Sequence, residues 1–217
     1  ESLRARGLDT SIRGASAFST LGWFDDPLFR HQLVADEAAL VNLVLHETYH
    51  NTFYAKGPQS TAFNESLATF VGHRAAIDFF AARPDSTELA TLARVAWEDE
   101  RVFATFIQTL GNRLKKLYAE QDEATALMQR DVIFTDAQAQ FPSLPLQGKR
   151  FEKFDEVKLN NAMLLQSLLY TTDLDLFESI AARLGGVRPA LDFIEAAAEA
   201  EPADPFGAVR RAFASLG

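Results

Sequence analysis

Cysteine is absent from the 217 residues. That excludes disulfides and any thiolate-ligated metal within them, and leaves the compartment open, because a cysteine-free chain survives equally well in cytosol or periplasm. Long apolar runs are missing too. No stretch approaches the roughly 20 residues needed to cross a bilayer, although 47% of the residues are apolar and a real core is expected. Basic charge is scarce: 21 Lys and Arg stand against 30 Asp and Glu, a net charge of −9. Nucleic acids and acidic membrane surfaces reward clustered Lys and Arg, so both are poor partners for this chain. The chain opens at Glu1 without a basic-then-apolar leader, which reads as a truncated or processed start.

Histidine is rare as well, at four residues, yet two fall in the run His46-Glu47-Thr48-Tyr49-His50. This is an H-E-x-x-H zinc-peptidase signature. The apolar residues Leu40, Val41, Val44, Leu45 and Tyr49 recur at helical spacing between about Asp36 and Phe53, so the run is placed on a helix. Residues four apart share one helical face, and both imidazoles can then reach one metal. Glu47, one step round, can take a proton from a water on that metal. Its flanks Leu45 and Tyr49 put it beside a buried stripe, where an unpaired carboxylate is costly; the bland alternative is a helix-surface charge.

A catalytic zinc takes three protein ligands and keeps a fourth position for water. Gly57-Pro58 breaks the chain, and a second helix is predicted over 62–82, with Phe63, Leu67, Phe70, Val71, Ile77, Phe79 and Phe80. Glu65 lies fourteen residues beyond His50 on that helix, and an antiparallel return points it at the metal. Ala68 and Gly72, small and on nearly the same face, let the two helices approach closely. Thr69, one turn on, is either a hydrogen-bond partner of a ligand or an ordinary half-buried helix residue. His73 is either a contact in the site or a packing residue, and His31 reads as structural.

The rest of the chain is helix-dominated, without internal repeats. Residues 8–24, with Gly7, Gly14 and Gly22 as punctuation, suggest a small strand element, followed by a turn or helix entry at Asp25-Asp26-Pro27. A long helix is predicted over 86–124 and a shorter one to about Gln140. Phe141 to Gly148 is the most loop-like stretch, and helical patterns resume at 151–170, 174–184, 188–200 and 204–215. The reading is a single, mainly α domain (α+β through the strand element), with active-site helices at 36–82 and a helical C-terminal part from 86 to 217.

H-E-x-x-H followed by Asn64-Glu65-x-x-Ala68 resembles the gluzincin class of zinc peptidases, which includes thermolysin and the large aminopeptidases. Three further segments, Ala17 to Leu28, Phe63 to Val71 and Leu159-Asn160-Asn161-Ala162, are similar to the bacterial Putative aminopeptidase family, over about residues 7–195. That resemblance implies a zincin-like fold, one zinc ion per chain, and a peptide substrate. It also implies a parent protein with a further N-terminal region, periplasmic and lipoprotein-anchored. Gluzincins often stabilise the oxyanion with a tyrosine or histidine; Tyr170, in Leu168-Leu169-Tyr170-Thr171-Thr172-Asp173, is the candidate, against a tyrosine packed at a helix end. Tyr49 and Tyr54 are weaker candidates, since helical position turns Tyr49 away from the metal face. An exposed strand edge near 15–22 could bind peptide backbone by β-addition, with Trp23 and Phe24 as pocket wall or core.

The function expected is a zinc-dependent, aminopeptidase-like peptidase with His46, His50 and Glu65 on the metal and Glu47 as general base. The alternatives are a zinc-stabilised binding or scaffold domain and a zinc hydrolase of a non-peptide amide. The intact Glu47 weighs against a purely structural site, which needs no general base. Oligomeric state and substrate preference are not legible.

Overall fold

The computed structural model describes residues 3–12, 36–58, 60–154 and 156–217. Among them are eight α-helices and no strand: α1 (Glu37–Tyr49), α2 (Ser60–Ala81), α3 (Thr87–Glu120), α4 (Glu123–Gln140), α5 (Asn161–Thr171), α6 (Leu174–Leu184), α7 (Val187–Ala200) and α8 (Pro205–Ala214). No described helix is long and apolar enough to cross a membrane. The chain is mainly α, as expected. The predicted strand is not present over Leu8–Ile12; residues 13–24, the Asp25-Asp26-Pro27 entry, Trp23, Phe24 and His31 lie outside the described residues.

What residues 3–12 do instead follows from their polar side chains. Leu3–Arg6 form one 3-10 turn. Asp9 Oδ2 accepts from the Asn161 amide at 3.0 Å, and the Asn160 side chain donates to Thr10 O at 3.2 Å. The segment therefore covers the N-terminus of α5, whose first amides have no partner within their own helix. One side-chain oxygen, of Asp9, and one main-chain carbonyl, of Thr10, are used here on a helix end.

α1 begins where Asp36 accepts from the Ala39 amide at 2.8 Å, an N-cap. α2 is the centre of the molecule. Its residues Phe63, Asn64 and the unbroken run Ser66 to His73 are buried on every face, the pattern of a helix surrounded by others rather than lying on a surface. α1, α3, α5 and α6 pack against it. α3, whose 34 residues span about 50 Å at 1.5 Å per residue, joins two apolar clusters. Its N-terminal half, with Ala90, Ala93 and Trp97, packs with α1, α2, α6, α7 and α8. Its C-terminal half, with Ile107, Leu110 and Leu114, packs with α4, α5 and the intervening loop.

That loop corrects a second expectation. Residues 151–160 were predicted as the start of a helix running to 170, but α5 begins only at Asn161, capped by Asn160. Phe151 stacks on Phe103 at 4.3 Å, Phe154 lies 4.4 Å from Phe141, and Leu159 is buried. Three large apolar side chains turned towards one patch outweigh a weak helical preference.

The packing of α1 on α2 positions everything that follows. Gly57, at φ +125°, makes the turn between them in a backbone region that L side chains rarely adopt. Farther on, a Cβ at Gly72 would lie 2.9 Å from Asn42 O and 3.1 Å from the His46 Cβ, so the helices touch backbone to backbone there. Replacing Gly72 by alanine must move α1 off α2. Gly72→Ala is expected to lower stability by about 1–3 kcal/mol, the cost of overpacking a tight contact, measured by denaturant unfolding of the metal-free protein.

Candidate metal centre

His46 lies in the last turn of α1, and His50 follows as its C-cap with helical dihedrals, φ −57° and ψ −23°. The two imidazoles therefore keep the i, i+4 relation. Their ring centroids are 5.0 Å apart, at 81° to one another. α2 returns antiparallel, and Glu65 Oε2 sits 3.4 Å from His46 Nε2 and 3.7 Å from His50 Nε2. One ligand atom from each of the three lies within 4.8 Å of the others, close enough for a single ion between them. Among the described residues this is the one such group of three.

Burial works against the charge on Glu65, yet the hydrogen bonds and positive charge that His46 and His50 offer outweigh it and bring its pKa down to about 2. The two imidazoles thus favour the ionised form of the carboxylate. His50 Nδ1, on the far side of its ring, is buried without a hydrogen-bond partner among the described residues. Glu47 is half-buried and has no hydrogen bond or ion pair within the described residues, so its carboxylate is not committed to the fold.

Neighbouring side chains hold this arrangement. Asn64, beside Glu65, accepts from the Ala55 amide at 2.8 Å and donates to Ala55 O at 3.0 Å, clasping the α1–α2 loop. Ser66 donates to Leu169 O and accepts from the Thr172 amide, both at 3.0 Å. That pins the end of α5, where the Tyr170 ring stacks 6.3 Å from that of His46 at 30°. Neither clasp was legible beforehand: a buried Asn or Ser inside a helix carries no spacing signal, and only the adjacency of Asn64 to Glu65 hinted at a role.

Two expectations resolve towards their blander side. Thr69 donates to Glu65 O at 2.8 Å, a bond within its own helix. His73 is buried against Trp97, with ring centroids 5.3 Å apart, and its Nε2 lies 3.2 Å from Asn42 Nδ2. Tyr49 does turn away from the metal face: its hydroxyl donates to Glu195 at 2.7 Å. Burial first, then that bond and the charge of Glu195, push its pKa up.

A family model described as Putative aminopeptidase matches residues 1–204. The chain belongs to that family. No curated protein and no solved structure matches it. The description of the Putative aminopeptidase family names a reaction and no residue.

Glu65 gives a test independent of any metal. Its pKa is depressed in the folded chain, so the pairing contributes stability that is present above pH 4.5 and lost as pH falls towards 2. Glu65→Gln in chelator-treated protein is expected to flatten the acid limb of the unfolding free energy between those two pH values.

Proposed function

We propose that the chain is a zinc-dependent peptidase of aminopeptidase type, gluzincin-like in its ligand set. The observation that carries this is the convergence of His46 Nε2, His50 Nε2 and Glu65 Oε2, with the uncommitted Glu47 one residue round the helix. Two imidazole nitrogens and a carboxylate oxygen, leaving a further position open, are a donor set that suits zinc. The three residues fit such an ion in donor chemistry and in proximity, since they come from α1, its C-cap and α2, which touch at Gly72.

When bound, zinc supplies Lewis acidity, acidifying water and polarising a peptide carbonyl. Glu47 takes the proton from the attacking water and returns it to the leaving amine. Tyr170, its ring stacked on that of His46, donates a hydrogen bond to the carbonyl oxygen as negative charge develops there. Glu65 stays ionised throughout and holds position. The substrate is a peptide, one ion serves each chain, and the periplasmic, lipid-anchored placement of the parent rests on the family resemblance.

Zinc content and cleavage of a quenched peptide library separate these roles. Glu47→Gln is expected to keep its zinc and to lose roughly 10²–10⁴-fold in kcat, the scale of a general base. Tyr170→Phe is expected to keep zinc and lose on the order of 10²-fold, at the lower end for an oxyanion donor. Zinc bound by the parent chain without cleavage of any peptide would replace this reading with a metal-stabilised scaffold.

A further inference from the structure

One turn of α1 before His46, a polar chain crosses four elements and ends at the surface. Asn42 Nδ2 on α1 lies 3.2 Å from His73 Nε2 on α2; that nitrogen is 3.8 Å from Glu100 Oε2 on α3; and Glu100 Oε2 is 3.1 Å from Arg150 Nε in the loop before α5. The Glu100 side chain is 4% exposed and that of His73 3%, while that of Arg150 is 52% exposed. We propose that Arg150 and Glu100 are positioning residues for the metal-bearing helix, acting through His73 and Asn42. This rests on the reading of His46, His50 and Glu65 as metal ligands.

A buried carboxylate needs a counter-charge, and two candidates face Glu100. Arg150 is the nearer and carries its charge at any pH. His73 is sealed under Trp97, and burial, then the charge of Arg150, then that of His46, hold it well below the usual imidazole range. With Arg150 in place, His73 stays neutral, and its Nε2 accepts from the Asn42 amide. Neighbouring Asp99 secures the delivery of Arg150: it accepts from the Gln147 and Gly148 amides at 2.8 and 2.7 Å, fixing the loop two residues upstream.

At its inner end the chain meets the point where the helices touch. A Cβ at Gly72 would meet the Asn42 side-chain oxygen, Asn42 O and the His46 Cβ together. The Asn42 amide therefore sits inside the contact of α1 with α2, one turn before His46, and its orientation decides whether an acceptor or a donor faces Gly72 there. Without Arg150 the nearest cation for Glu100 is a protonated His73, which becomes a donor at both nitrogens. Asn42 must then turn its oxygen towards His73 and withdraw it from Gly72.

The test compares the parent chain, Arg150→Met, Arg150→Lys, Asn42→Ala and the double variant Asn42→Ala/Arg150→Met. Zinc affinity is read by chelator competition, and the His73 imidazole is read by nitrogen NMR on metal-free protein. Arg150→Met is expected to bind zinc more weakly by on the order of tenfold, the lower end for residues behind metal ligands, and to show a protonated His73. Arg150→Lys is expected to recover most of both, and Arg150→Met to add nothing in the Asn42→Ala background.

Unchanged zinc affinity and a neutral His73 in Arg150→Met would overturn the proposal, as would additive losses in the double variant. A parent chain that binds no zinc would refute the ligand reading itself, and the NMR signal of His73 would then decide alone whether Arg150 controls it. Arg150 lies outside both apolar clusters, so its truncation leaves core packing intact; should Arg150→Met not fold, Arg150→Gln read by the same NMR signal decides.

Discussion

The backbone contact of α1 with α2 at Gly72 is the constraint on which the rest depends. A helix bearing two histidines offers two donor nitrogens on one face and nothing more. The third must arrive from another element at the right depth, and depth is set by how close the two helices can come. A glycine at 72 removes the side chain that would hold them apart. With the axes that close, Glu65 reaches both imidazoles without leaving its helix. Asn64, gripping both main-chain groups of Ala55, keeps the connecting loop from relaxing the angle.

Closeness of this kind has a cost that the surroundings offset. α2 carries Asn64, Ser66, Thr69 and His73 into the interior along with Phe63, Leu67 and Phe70. Asn64, Ser66 and His73 find partners on other elements, namely the α1–α2 loop, the end of α5 and Asn42 of α1, and Thr69 bonds the carbonyl one turn back in its own helix. A buried polar group left unpaired costs about 1–3 kcal/mol, so these pairings favour one arrangement of α1, α2 and α5 over slightly shifted ones. Specificity of the site and satisfaction of the interior are thus the same set of bonds.

How much of this could be read beforehand follows from the range of each interaction. His46 and His50 are legible because their relation is local, four residues on one helix. Glu65 is legible because a Gly-Pro turn and two small residues report an antiparallel return. Tyr49 follows from helical phase. Long-range pairings carry no such signal. Nothing in the spacing says that Ser66 meets Leu169 and Thr172, that Glu100 faces His73, or that Asp99 holds Gln147 and Gly148. Residues 151–160 mislead for a related reason: their phenylalanines look helical in spacing, but the patch formed by Phe103 and Phe141 lies far away in sequence. Thr69 misleads because a hydroxyl one turn from Glu65 has the Glu65 backbone carbonyl within easier reach than its carboxylate.

The central claim is that two helices packed at Gly72 present three converging atoms to one metal ion. Elemental analysis of the purified parent chain and of Glu65→Ala, run side by side after passage through a weak chelator, tests it most directly. The account predicts one zinc per parent chain and its loss from Glu65→Ala, which keeps its fold. Zinc retained equally by both chains, or absent from the parent, would contradict it.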